Sequence, residues 1–346
     1  LNIGRTCVIL YVGKLIYRRP HMANAVKEKE VVVQMDNQMV PWHRVGRSIE
    51  SSPDAQTAIR FAHLDWRVIQ EKVYTRDGVE IPNLVANIRE SDRKFLGIVT
   101  KRYRIVQNEE AFEFTNHIIR NELGANAQYD SAGSIMGGRK VWLSMKLDPK
   151  KILGEAITPY IIFTNSHDGK GSVKVAITPI RVLCSNTLLA AFRSAQRTWE
   201  IRHVGNINRG LEEAELILLN TSQYMEEFSN VANEMSRIKL FDKSVSNILE
   251  TLYPLPEDDG KENDQVSKLQ RERIISMRDT VLDLYKNRPD LQNFRGTAWG
   301  LYNAIADFES HYIPFKKSKT YQEKRIARFI DGGSRIEKAQ ELLLAS

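Results

Sequence analysis

The sequence predicts an α+β protein, an antiparallel sheet with packed helices followed by a mainly helical C-terminal part. Three observations carry that expectation. Between Leu84 and Thr178, β-branched and aromatic runs recur at strand length and are separated by Gly- and Asn-bearing turns. The stretch from Tyr160 to Phe192, YIIFTNSHDGKGSVKVAITPIRVLCSNTLLAAF, reads as strand, polar turn and strand, then a helix opening at Pro179. From Leu211 onward the apolar residues fall at helical spacing.

In chain order, Pro53–Ala62 reads as a short helix with Asp54 at its positive end, and Leu64–Thr75 reads as a strand. Leu84–Ile88 and Phe95–Thr100 are strands joined by the charged turn Arg89–Lys94, and Asn108 is placed to cap a helix that begins with Glu109 and Glu110. That helix buries Phe112, Phe114 or Ile118. Ala127–Gly133 and Arg139–Leu147 are further strands, with Gly137 and Gly138 in the turn between them. Asn165, Ser166, His167 and Asp168 begin the polar turn of the central hairpin. Beyond it, Ile217, Tyr224, Phe228, Val231, Met235 and Ile238 form a stripe for the core or for an oligomer contact. Further helices are expected over Gln265–Lys286, over Thr297–Tyr312 and from Ser334, with a basic stretch from Lys316 to Arg328 before the last.

The chain has 346 residues, enough for one large domain or two ordinary ones. Residues 1–21 are expected to be a non-native or disordered leader, 22–210 an α+β core, and 211–346 a mainly helical region with a charged, Pro-bounded loop at 254–264. The formal charge is +7 and the pI about 9.2, a balance that favours a polyanionic partner. Cys7 and Cys184 are the only cysteines, which excludes a disulfide framework and a Cys-based zinc cage. No segment reads as a membrane span, and with only two cysteines a cytoplasmic location is the expectation.

Catalytic signatures are thin. Ser166, His167 and Asp168 are the ingredients of acyl transfer, but neighbours on a tight turn cannot aim at one another as a triad does, and no GxSxG elbow occurs. His43, His63, His117, His167 and His203 lack metal-ligand spacing, and the glycines at 137–138 and 169–171 match neither a P-loop nor a dinucleotide fingerprint. No catalytic residue, metal or cofactor is assigned. Cations with aromatic neighbours do recur on the strands and beside them: Lys101, Arg102, Tyr103, Arg104, Arg139, Lys140, Lys170, Lys174, Arg181, Arg193, Arg197 and Arg202. These are the candidate nucleic-acid contacts.

FTNSHDGKGS, followed by PIRVLCSNTL and by Trp199-Glu-Ile-Arg-His203, resembles the phage/plasmid-like protein family, a domain of unknown function numbered 932. Pro41-Trp42-His43, Leu64-Asp65-Trp66, the run from Leu96 to Phe114, Gly137–Trp142 and Thr297–Asn303 carry the same resemblance, in order, from about Pro41 onward. The resemblance implies a link with phages, plasmids and laterally moved DNA, but no established activity. By analogy, the architecture resembles that of phage single-strand annealing proteins. The leading expectation is a DNA-binding, oligomeric protein that holds single strands by their phosphates in annealing, recombination or replication. Two alternatives are a phage counter-defence or host-protein interaction factor without DNA activity, and a metal-dependent nuclease or hydrolase.

Overall fold

The computed structural model describes residues 46–113, 115–116, 126–181, 186–187, 198–203, 216–256, 265–312 and 335–346. Pro41, Trp42, His43, Phe114, Ile118, most of the 254–264 loop and the basic stretch from Lys316 to Arg328 lie outside them. Among the described residues the architecture is mixed α+β, with two sheets, both antiparallel.

The smaller sheet is a three-stranded meander, β2 (Val68–Tyr74), β3 (Glu80–Arg89) and β4 (Lys94–Thr100), with β3 in the middle. The larger sheet contains β1 (Arg47–Ser48), β5 (Ala127–Ile135), β6 (Lys140–Leu147), β8 (Glu155–Ser166), β9 (Val173–Arg181) and β10 (Asn186–Thr187) in that spatial order. Two short strands complete it: β7 (Lys150–Ile152) pairs with β8, and β11 (Thr198–Ile201) pairs with β9. Alternation sends Val141, Leu143 and Met145 of β6, Ile161 and Phe163 of β8, and Val175 and Ile177 of β9 into one continuous core.

The helices are α1 (Ala55–Phe61), α2 (Asn108–Glu113), α3 (Leu216–Arg237), α4 (Asp242–Leu252), α5 (Gln265–Asn287), α6 (Ala298–Asp307) and α7 (Arg335–Leu344). Asp54 caps α1 through its carboxylate, which accepts from the Thr57 N–H at 2.7 Å. Every residue of α6 is buried. The hydroxyl of Thr297 caps α6 by accepting from the Gly300 N–H at 3.1 Å. Gly300 is demanded by packing, since a Cβ there would stand 2.2 Å from the Phe294 carbonyl oxygen. The α3 stripe meets this helix: Tyr224, Phe228 and Met235 are buried, Phe228 lies edge-on to Trp299, and Val231 and Ile238 pack against the same core. The stripe residues whose side chains are described are therefore spent inside the protomer. No described helix is long and apolar enough to cross a membrane.

Two expectations are corrected. Pro179 does not open a helix: it lies within β9, which continues through Ile180 and Arg181, and Asn186–Thr187 pairs back onto it. Pro179 sits directly opposite Pro159 of β8. On its outer side Pro159 faces the break between β7, whose pairing ends at Ile157, and β6, whose pairing begins at Tyr160. Pro179 likewise faces the break between β11, paired up to Ala176, and β10, paired from Ile180. A strand tolerates a missing donor where no neighbour asks for one. The second correction concerns Asn108, whose amide does not cap α2. The Glu110 carboxylate instead reaches back to the Gln107 N–H at 3.1 Å, and Asn108 turns into the interior.

The two sheets meet at the turn between β8 and β9. Asn87, fully buried on β3, donates its amide to the His167 carbonyl at 2.8 Å. Gly97 of β4 lies against the backbone of Asp168, and Gly169, at φ +75°, abuts Val99. A Cβ on Gly97 would fall 2.6 Å from the Asp168 Cα, a clash between two backbones that no rotamer relieves. Gly97→Ala should lower stability by about 1–3 kcal/mol, the usual cost of overpacking, read as a drop in the urea midpoint with the m-value unchanged.

Candidate anion-binding site

The hairpin turn begins in a buried stretch, Asn165 to His167, and comes to the surface at Gly169 and Lys170, and its own side chains close it. Asp168 accepts from the Ser166 hydroxyl at 2.8 Å and from the Lys170 N–H at 2.9 Å, an Asx-turn that closes the loop. The His167 N–H donates to the Arg139 carbonyl at 2.7 Å, and the Asn165 amide donates to the Val106 carbonyl at 2.8 Å. The Tyr103 hydroxyl donates to the Ser166 carbonyl at 2.6 Å while its ring stacks on His203, with centroids 4.6 Å apart. The segment after β4 is thereby tied to the turn and to the chain following β11.

His167 is structural. Its Nε2 lies 2.9 Å from Asn108 Oδ1, and Asn108 Nδ2 donates to the Leu64 carbonyl at 2.8 Å. That second bond fixes the amide so that Oδ1 accepts, which places the imidazole proton on Nε2. Trp66 meets the ring edge-on at 5.4 Å and carries the Arg89 guanidinium over its own ring at 5.2 Å. Nδ1 is buried with no hydrogen-bond partner, so a second proton would create an uncompensated charge. Burial, then the nearby His203, push His167 down to about 3. His203, whose Nδ1 lies 3.1 Å from the Arg104 carbonyl oxygen, is also pushed down, chiefly by burial. Ser166 bonds Asp168 and His167 bonds Asn108, so these neighbours form no triad. Among the described residues no three His, Cys, Asp or Glu side chains converge as metal ligands.

The candidate binding feature lies on the sheet face beside this turn. The register puts Lys140 of β6 opposite Ser166 of β8, and Lys174 of β9 between Thr164 of β8 and Glu200 of β11. Cross-strand partners share a face, so these side chains form two adjacent rows at one end of the sheet. Lys170 and Ser172 come in from the turn, and the group encloses a cavity of about 250 Å³. Lys174 is 8% exposed, with its ammonium 2.6 Å from Glu200 Oε1, and the Ser172 hydroxyl donates to Glu200 Oε2 at 3.4 Å. Gly171 keeps the mouth open, since a Cβ there would lie 2.8 Å from Ser166 Oγ and 3.7 Å from Lys140 Cε. Three ammonium groups, one carboxylate and several hydroxyls suit the binding of an anion. A larger cleft, about 340 Å³ beside α1 and α2, has Asp65, Glu109, Glu110 and Glu113 in its lining and suits anions poorly.

The other sequence candidates are spread more widely. Arg102, Arg104, Arg139 and Arg202 are exposed, and Arg104 and Arg202 flank His203 through the bond from the Arg104 N–H to the His203 carbonyl at 2.8 Å. Lys101 lies 3.7 Å from Glu80 at the far end of β4. Arg181 is on β9, and Arg193 and Arg197 lie outside the described residues. Sequence reasoning missed Glu200, for which the alternation in Thr198-Trp-Glu-Ile201 was an available strand signal. It also missed the interior roles of Asn87 and Asn108, for which no local pattern exists.

The pH dependence follows from His167 and His203. Both bind protons more readily unfolded than folded, so stability should fall as pH drops below about 6.5, at up to about 1.4 kcal/mol per pH unit for each group, with His167 contributing down to about 3. In His167→Gln, urea midpoints measured across this window should fall less steeply than in the parent. Parallel profiles would contradict the assignment of His167.

The family described as "Domain of unknown function (DUF932)" matches residues 95–330, from β4 through the hairpin, the cavity and α6. No curated protein and no solved structure matches the chain significantly. On that match, which spans well over half of the sequence, the chain belongs to the DUF932 family, a domain of unknown function.

Proposed function

We propose that this protein binds single-stranded DNA by its phosphates and acts in annealing, recombination or replication of phage- or plasmid-type DNA, as a homo-oligomer. The observation that carries the reading is the cavity that gathers Lys140, Lys170 and Lys174 beside the hydroxyls of Ser166 and Ser172. Phosphate groups supply most of the affinity of non-specific nucleic-acid binding, and clustered ammonium groups with hydroxyl donors are what a phosphate needs. The formal charge of +7 favours the encounter, and the exposed Arg104 and Arg202 extend the basic surface past the Tyr103–His203 stack. Because the described α3 stripe is consumed in the core, self-association would use another surface.

A second reading, docking of a host protein without DNA, draws on the outer face of the small sheet. Ile69, Ile88 and Phe95 align across its three strands, and Phe95 and Ile98 are 46% and 49% exposed.

Fluorescence anisotropy with a labelled oligonucleotide across a salt series separates the two. Binding should weaken with salt; Lys140→Ala and Lys170→Ala should each weaken it, and the two together should reduce the log–log slope by about 0.7, the value for one lost single-strand phosphate contact. Absence of salt-sensitive binding at low ionic strength would remove the DNA reading. Phe95→Ser should leave DNA binding unchanged.

A further inference from the structure

The cavity has features beyond those a passing backbone phosphate requires. At about 250 Å³ it falls below the range of pockets that enclose whole small molecules, yet it is large enough for a single phosphate group and a linking sugar oxygen. It lies at one end of the sheet, where β8 turns back into β9, so the turn borders it on that side. Its lining also contains a resident anion. Glu200 bridges the Lys174 ammonium and the Ser172 hydroxyl, the pair of donors an entering phosphate oxygen would claim. The Glu200 side chain is 53% exposed and can turn into solvent when displaced.

A competitor must outbid that carboxylate. A backbone phosphodiester carries one negative charge shared over two free oxygens. A phosphate monoester carries about −1.5 to −2 near neutral pH and offers three strong acceptor oxygens. Three ammonium groups and the Ser172 hydroxyl can serve all three oxygens while Glu200 swings away.

Building on the phosphate-binding reading above, we propose that this cavity is a phosphate monoester site, taking either the 5′-terminal phosphate of a strand or the phosphate of a free nucleotide. Glu200 acts as its selectivity residue. A singly charged diester gains little by displacing one carboxylate, whereas a dianion gains the whole cluster of donors. The remaining basic surface would follow the strand away from its anchored end.

The test compares one 3′-labelled oligonucleotide bearing a 5′-phosphate with the same oligonucleotide bearing a 5′-hydroxyl, by anisotropy on the full chain, alongside calorimetric titration of adenosine monophosphate. The 5′-phosphorylated strand should bind at least tenfold tighter, and Lys140→Ala and Lys140→Gln should both erase the difference. Glu200→Gln should tighten binding of the 5′-hydroxyl strand and narrow the gap, an effect that a merely structural Glu200 would not produce. Adenosine monophosphate binding as tightly as the phosphorylated strand would identify a free nucleotide as the ligand, and weaker binding would identify a strand end. Equal, salt-sensitive affinity for both oligonucleotides would overturn the monoester site and leave the DNA reading standing. Binding of the mononucleotide with neither oligonucleotide bound would do the reverse, and no binding of any probe would overturn both.

Discussion

The structure depends on a polar turn held in a dry place. Asn165, Ser166 and His167 are all buried, so each backbone and side-chain polar group there must find a partner inside the protein or cost free energy. Three asparagine amides meet much of that demand from different parts of the chain. Asn87 reaches in from the small sheet, Asn108 from the start of α2, and Asn165 reaches out to the Val106 carbonyl. The hairpin is therefore a joint between the two sheets as well as a connection between two strands. Glycines at 97 and 169 let the two layers approach to backbone contact.

That joint also sets the chemistry. By fixing Ser166 and the Lys170 backbone through the Asp168 carboxylate, it places the turn's lysine beside the lysines delivered by strand register. The cations of this region do not all share one fate. Lys101 is matched by Glu80 and Lys174 by Glu200, and only the second pair lies at the cavity. An exposed pair such as Lys101–Glu80 contributes little to stability, whereas the buried ammonium of Lys174 is stabilised by the Glu200 carboxylate beside it. A carboxylate that supports a buried lysine, and yet stands where an anion would bind, can serve both stability and selection.

Much of the fold was legible in the sequence because the signals were local. The β8–β9 hairpin follows from β-branched runs around Asn, Ser, Asp and Gly, α1 from Asp54 before an apolar pattern, and α6 from a largely apolar segment of helical length. What was not legible depended on neighbours distant in sequence. Pro179 carries the marks of a helix start, and only the pairing gaps beside β9 reveal why it can lie within a strand. Asn108 carries the marks of a cap, but the burial of His167 claims its amide first. The cavity was half legible: Lys140, Lys170 and Lys174 were recognised as basic residues on strands and turn, while their convergence, and the presence of Glu200 among them, came from cross-strand register. The family match spans this unit and supplies no activity of its own, and fold alone does not fix function.

On the proposed reading, lysines from β6 and from the turn act together on one phosphate-bearing ligand. Lysine acetylation with mass-spectrometric readout, with and without a 5′-phosphorylated single strand, tests it most directly. The account predicts that Lys140 and Lys170 lose reactivity together while the exposed Lys150 and Lys286 keep theirs. Protection that spares Lys140 and Lys170, or that falls equally on all four, would contradict it.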